Sequence, residues 1–136
     1  MGYVGMSDYL LNATLKHVHN EATYTPPANT YLSLYIGNPL IVGVEVSGGG
    51  YARQPVTWAG VTAGTEEYTD DNSTEIMYPG ANADWGEITH AATYDALTSG
   101  NMLEVFELAI ARDVVSGEYV KVNGGTLNST IKRESI

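Results

Sequence analysis

Thr30-Tyr31-Leu32-Ser33-Leu34-Tyr35-Ile36 alternates strictly, with Leu32, Leu34 and Ile36 on one side and Tyr31, Ser33 and Tyr35 on the other. Successive side chains of an extended backbone point to opposite faces. The period of two therefore predicts a strand with one apolar and one aromatic-polar face. Gly37-Asn38-Pro39 ends it, since proline cannot donate to a ladder and all three residues favour turns. Upstream the period is helical. Ser7 is a good N-cap, Asp8 suits the positive end of a helix dipole, and Leu10, Leu11, Thr14, Leu15 and Val18 share one face. This predicts a helix over residues 7–18 that covers one side or edge of a sheet. Thr25-Pro26-Pro27-Ala28-Asn29 stops it. Residues 1–6 read as a loosely held N-terminal arm, with Met6 an alternative start.

Downstream, period-two segments recur between turn residues. Val42, Val44 and Val46 suggest a short strand before Ser47-Gly48-Gly49-Gly50, which reads as a flexible loop. Val56 and Trp58 alternate with Thr57 and Ala59, whereas residues 62–74 are polar and acidic and read as a long exposed connection. Ile76 and Tyr78 precede Pro79-Gly80, and residues 85–94 set Ile88, His90, Ala92 and Tyr94 on one face. Met102 to Ile110 follows, a segment whose Leu103, Phe106, Glu107 and Ile110 would also suit a helix. Tyr119 to Val122, the hairpin signal Asn123-Gly124, and Leu127, Ser129 and Ile131 close the set. About seven or eight short strands with such turns define a mainly β chain, an antiparallel β-sandwich or jelly-roll-like domain with one N-terminal α-helix. Residues 7–136 form that single domain, as expected for 136 residues.

Charge narrows the function. Six Lys and Arg against sixteen Asp and Glu give a net charge of -10. A phosphate-binding surface needs clustered cations, and here they are scattered apart from Lys132-Arg133. Direct nucleic-acid and anionic-membrane partners are therefore not expected, while an acidic exterior favours solubility. No apolar run reaches membrane-span length and no signal peptide stands out. With no cysteine, disulfides and thiolate metal sites are excluded.

The chemical candidates are few. His17 and His19 are two apart on the predicted helix and point about 200° away from each other, so they do not make a metal pair. His90, mid-strand beside Thr89 and Glu87, shows no nucleophile or substrate and reads as a packed, hydrogen-bonded histidine. The acidic run Glu66 to Glu75 lacks calcium-loop spacing and reads as a solvated loop. Sequons at Asn12, Asn72 and Asn128 carry little weight without a secretory signal. Ser47-Gly48-Gly49-Gly50 lacks the ending of a phosphate loop. No catalytic residue, cofactor site or metal site is expected, and a non-enzymatic chain follows.

Four segments resemble a family of small tailed-bacteriophage virion proteins, known as tail-fibre or minor structural proteins, with related head-decoration (cement) proteins. They are Ser7-Asp8-Tyr9-Leu10 leading to Tyr24-Thr25-Pro26-Pro27-Ala28 and Tyr31-Leu32-Ser33-Leu34; Gly49-Gly50-Tyr51-Ala52-Arg53; Tyr78-Pro79-Gly80-Ala81 with Asp84-Trp85-Gly86-Glu87-Ile88-Thr89-His90, through Tyr94-Asp95-Ala96 to Gly100-Asn101-Met102-Leu103; and Val115-Ser116-Gly117-Glu118-Tyr119 with Gly125-Thr126-Leu127. The likeness spans residues 7–131; a short Gly37–Gly50 connection and a small-residue Ala91-Ala92-Thr93 depart from it. It implies a structural protein on the outer surface of a virion, made in the bacterial cytoplasm. A capsid decoration protein is the first expectation, favoured by a short acidic chain with no repetitive shaft. A tail-fibre part, with or without binding of host glycans, is the alternative. Implied partners are copies of itself (as a trimer) and the major capsid protein or other virion proteins. Trp58 and Trp85 are expected as core or intersubunit anchors. Tyr51 and Arg53 are further interface candidates, Arg53 pairing with a neighbour's carboxylate or stacking on a tyrosine.

Overall fold

The 30–36 segment is a strand buried on both faces, and the rest of the chain is arranged around it. The computed structural model describes residues 1–133; the last three residues of the expected 7–136 domain lie outside the described residues. In chain order the elements are β1 (Gly2–Met6), α1 (Asp8–Val18), β2 (Thr30–Ile36), β3 (Val44–Glu45), β4 (Gln54–Val56), β5 (Thr62–Ala63), β6 (Glu67–Asp71), β7 (Ile76–Met77), β8 (Gly86–Tyr94), β9 (Met102–Val114), β10 (Lys121–Val122) and β11 (Asn128–Lys132). All strand pairs are antiparallel. The main sheet runs β1-β9-β8-β2-β3, with β4 also pairing β2; β11-β6-β5 and β10-β7 form two smaller sheets. The chain is mainly β and sandwich-like, with one short N-terminal helix.

Alternation along β2 sorts its side chains into two clusters. Leu32 and Leu34 join Val56, Ala91 and Phe106 of the main sheet against Val46, Ile76, Tyr78, Trp85, Val120, Val122 and Leu127 from the covering segments. Tyr35 faces the other way with Ala92, Tyr94 and Val105. Each fully buried aliphatic or aromatic side chain of this kind contributes roughly 1.5–3 kcal/mol. Ala91 and Ala92 are both 0% exposed, and their small side chains leave room for the layers on either side.

Several elements depart from the sequence reading. Residues 1–6 are not a loose arm: β1 pairs with β9, Gly2 opposite Glu107 and Met6 opposite Glu104, and the terminal ammonium donates to the Thr126 carbonyl at 2.8 Å. Backbone pairing, not side-chain alternation, recruits this glycine-rich segment. The stretch 62–74, expected as an exposed connection, holds β5 and β6, and the acidic run from Glu66 is paired with β11 from Asn128↔Asp71 to Lys132↔Glu67. Its strands are polar, so period-two hydrophobicity does not reveal them. Asn123-Gly124 makes no β10–β11 hairpin, because β10 pairs with β7 and β11 with β6. The segment from Met102 is a strand and continues to Val114. The side expected to carry Met102, Phe106, Leu108 and Ile110 is broken by register shifts against β8: Phe106 is buried and Ile110 is 83% exposed. A shift between Ile88 and His90 likewise splits the face expected for β8.

Helix α1 forms as expected. Ser7 is its N-cap, its side chain accepting from the Leu10 N–H at 3.1 Å and donating to the Met102 carbonyl. No α1 residue is buried, so its apolar face covers the sheet less than its pattern suggests.

Candidate functional site

Two of the four expected interface residues, Tyr51 and Arg53, meet Glu45 at one place, with Trp85 packed behind them. Pro55 and Gln54 pair with β2, which fixes the preceding residues beside the β2–β3 edge. There the guanidinium of Arg53 donates from Nε to Glu45 Oε2 and from Nη2 to Glu45 Oε1, both at 2.9 Å. Its Nη1 donates to the Ala96 carbonyl at 3.0 Å and the Ser99 carbonyl at 2.7 Å. The carbon of the guanidinium lies 3.6 Å from the centroid of the Tyr94 ring. Arg53 is 8% exposed. The Glu45 hydrogen bonds hold it charged, against the opposing push of burial.

Tyr51 extends the network inward. Its hydroxyl donates to Glu45 Oε2 at 2.7 Å and accepts the Leu34 N–H at 3.0 Å. Burial, then the Glu45 hydrogen bond, pushes its pKa well above the ordinary phenol value. Its ring stacks on Tyr78 with centroids 6.0 Å apart and meets Trp85 edge-on at 5.6 Å. Trp85 in turn donates from Nε1 to the Gly49 carbonyl at 2.9 Å. The Ser47–Gly50 segment, expected as a flexible loop, is thus anchored. Gly49 has φ +60°, and a Cβ there would sit 2.9 Å from the indole ring, so glycine is required for the approach.

These contacts shape an open cleft of about 370 Å³ lined by Glu45–Gly48, Tyr51–Arg53 and Leu97–Ser99. The 97–99 part of the lining is held by Arg53 through the Ala96 and Ser99 carbonyls. Arg53 therefore pairs within its own chain and stacks on its own Tyr94. Trp85, 4% exposed, is spent in the core, one of the two roles expected of it. Trp58 stands apart: Nε1 donates to Thr30 Oγ1 at 2.9 Å, and the half-buried ring lines a second opening of about 180 Å³ with Asp70, Glu104 and Ser129. Sequence reading missed Glu45 and Tyr94. A signal for Glu45 was present: it is the only acid between Glu21 and Glu66, and Arg53 the only Lys or Arg between Lys16 and Arg112.

The remaining candidates have structural roles. His17 Nδ1 accepts the Tyr24 N–H at 3.1 Å, and His19 lies 3.8 Å from Glu21. His90 Nδ1 is 2.8 Å from Thr89 Oγ1, and Nε2 is 3.4 Å from Glu107. The Thr89 hydroxyl also accepts the Gly37 N–H at 2.8 Å, so it is tied to backbone rather than poised toward a substrate. Asn72, one of the sequons, is 1% exposed. Its Nδ2 donates to the Thr74 and Asn123 carbonyls, and its Oδ1 accepts the Thr126 and Leu127 N–H groups. Among the described residues no group of three or more His, Cys, Asp or Glu could hold a metal ion. No helix among them is long and apolar enough to cross a membrane.

The site thus consists of layered antiparallel sheets braced internally by the Arg53–Glu45 ion pair and the Asn72 amide, with open clefts above them. The chain belongs to the family of the podophage GP4 fiber I protein gp80, whose model matches residues 5–130. It is thus a phage structural protein, as the resemblance over residues 7–131 implied. No curated protein matches the chain.

Proposed function

We propose that the chain is a subunit of a podophage tail fibre, a non-enzymatic β-rich unit displayed on the outside of the virion and joined to copies of itself and other virion proteins. The observation that carries this reading is the match of residues 5–130 to a family described as a fiber protein. The expectation of a capsid decoration protein rested on a short acidic chain without a repetitive shaft. An acidic exterior suits any exposed part of a particle, so the fibre description outweighs it. Within this role Tyr51 and Arg53 act from inside, fixing the walls of a cleft that a neighbouring protein meets. Trp58, at the rim of the second opening, is the expected anchor with ring surface left to offer.

Purified particles separated into heads and tails test this. Quantitative mass spectrometry is expected to find the chain with the tails. Recovery at many copies with the heads alone would overturn the fibre reading and favour decoration.

A further inference from the structure

Asn123-Gly124 has the composition of a hairpin turn but joins no hairpin, since β10 and β11 pair elsewhere. Residues 123–126 form a tight turn closed by the Thr126 N–H on the Asn123 carbonyl at 3.3 Å. Gly125, third in that turn, has φ +79°, a conformation that favours glycine at this position. Gly124 lies against the backbone of its neighbours, where a Cβ would come 3.2 Å from the Ser73 carbonyl oxygen. Both glycines therefore have structural reasons. Asn123 is used only through its backbone: its carbonyl accepts from Asn72 Nδ2 at 3.0 Å and from Thr126 Oγ1 at 2.6 Å. The residue is exposed. Among the described residues, neither its side-chain amide nor the Gly124 N–H has a hydrogen-bond partner.

We infer that Asn123 is a self-modification site, where the Gly124 nitrogen attacks the side-chain amide and leaves aspartate or isoaspartate. Hydroxide takes the Gly124 N–H proton, and the nitrogen forms a bond to Asn123 Cγ. The Cγ–Nδ2 bond breaks, and Nδ2 leaves as ammonia with a proton from water. Water then opens the five-membered imide. Breaking its bond between Cγ and nitrogen restores the backbone with an aspartate side chain. Breaking the bond from the main-chain carbonyl carbon instead sends the backbone through Cβ and Cγ, which is isoaspartate. In sum, an amide and water become a carboxylate and an ammonium ion, with no redox change. A glycine nitrogen is the least hindered attacker, because no Cβ restricts its approach or its backbone. Asn123 is the only asparagine of the chain followed by glycine.

The other asparagines are protected in identifiable ways. Asn72 is 1% exposed, its amide is engaged at both ends, and the Ser73 N–H that would attack it donates to the Thr57 carbonyl at 2.8 Å. Asn128 Nδ2 donates to Asp71 Oδ1 and to the Gly125 carbonyl. Asn38 precedes proline, which has no N–H. Asn82 is exposed but precedes alanine. The isoaspartate product has a structural consequence. It lengthens by one backbone atom a segment that Asn72 pins at the Gly125 N–H, 2.7 Å away, and at the Leu127 N–H, 2.9 Å away. The Thr126 carbonyl in that segment accepts the Met1 ammonium at 2.8 Å. The extra atom thus loosens the tie between the turn and β1. Either product also adds one negative charge to a chain already at -10. None of this depends on whether the chain occupies a fibre or a shell.

The test incubates the full folded chain in warm, mildly alkaline buffer and follows each asparagine by peptide mapping with mass spectrometry. Isoaspartate is counted with a methyltransferase specific for it. Conversion at Asn123 is expected to be at least about tenfold faster than at Asn82, where a Cβ hinders the attacking nitrogen. Asn72 and Asn128 are expected to stay intact. Conversion at Asn123 no faster than at Asn82 would overturn the proposal. So would conversion only after unfolding in urea, because the folded turn would then hold the reacting atoms apart. Asn123→Gln is expected to keep the parent's urea midpoint and to form no isoaspartate in this turn; a lower midpoint would mean that the side chain is engaged after all. Hydrogen exchange reads the consequence. The aged chain is expected to exchange its Gly2–Met6 and 125–127 amides faster than the parent, whereas Asn123→Asp, with the charge but not the extra atom, is expected to match the parent. Equal exchange in aged and fresh chains would overturn the loosening of β1.

Discussion

Arg53 and Glu45 form a two-point ion pair, Nε and Nη2 each 2.9 Å from a different carboxylate oxygen. They join the β2–β3 edge to the loop after β8, because the third guanidinium nitrogen holds the Ala96 and Ser99 carbonyls. A lysine could neutralise Glu45, but it lacks the planar fork that reaches four acceptors at once. Arg53→Lys is therefore expected to lower stability, and Arg53→Met to lower it more. Removing one partner of a buried pair costs about 3–5 kcal/mol, and the lower end applies here because Glu45 keeps 24% side-chain exposure. Urea unfolding checks this, with Arg53→Met/Glu45→Leu expected to recover part of the loss. A wild-type midpoint for Arg53→Met would show that the strut contributes nothing.

Asn72 makes four hydrogen bonds from a buried position, two as donor and two as acceptor. It ties the end of β6 to the 123–127 segment that leads into β11. Asn72→Ala leaves the Leu127 N–H and the Thr74 carbonyl unpaired, whereas the Thr126 N–H and the Asn123 carbonyl keep their contact with each other. Each buried group left unpaired costs about 1–3 kcal/mol, so a loss of at least that size is expected in thermal or denaturant unfolding. Asn72→Asp keeps the acceptors and loses the donor, and is expected to be nearly as harmful. Equal stability of Asn72→Ala and the parent would mean that water satisfies these groups.

The difference between Leu34 and Asn72 explains what was legible in the sequence. Leu34 lies in a strand whose alternation is written in its own neighbours, and β2 and α1 were readable in this local way, whereas register shifts break the single faces expected of β8 and β9. The β11-β6-β5 sheet is held by backbone pairing and by polar cross-strand contacts such as Thr69 with Thr130 and Asn128 with Asp71. A composition typical of a loop thus hides a strand. β1 was hidden for a related reason: its partner is β9, about a hundred residues away. At the site, Tyr51 and Arg53 were recognisable as unusual residues. Their partners Glu45, Tyr94 and Ser99 come from three separate elements, and no local pattern records a meeting of that kind.

Gly49 offers a sharper test of the cleft wall than any charged residue. Its φ of +60° and the 2.9 Å gap from a built Cβ to the Trp85 ring act together. Gly49→Ala pays about 1–2 kcal/mol for the left-handed backbone and must also displace the indole. Lower stability and a changed tryptophan emission maximum are expected, because Trp85 would lose its hydrogen bond to the Gly49 carbonyl. Gly48→Ala is the control: its φ is also positive, but nothing lies within 4 Å of the added carbon. It should lose stability without the spectral change.

Alkaline pH addresses the core as a whole. Burial raises the phenols of Tyr3, Tyr35, Tyr51 and Tyr78 above their ordinary value of 10.0. Hydrogen bonds strengthen the effect, Tyr35 to the Tyr94 hydroxyl and Tyr51 to Glu45. Below about pH 10 both folded and unfolded chains keep these protons, so the contribution of the four groups is fully present. Above it the unfolded chain releases protons that the folded chain retains, and stability falls as pH rises. Phenolate absorbance and near-ultraviolet circular dichroism, followed together from pH 9 to about 13, measure this. The four phenols are expected to ionise only as the dichroism collapses, in one cooperative step. Ionisation of all ten tyrosines with the dichroism intact would mean that solvent reaches Tyr78 and Tyr51 in the folded chain, and that the aromatic packing behind the cleft is looser than its hydrogen bonds imply.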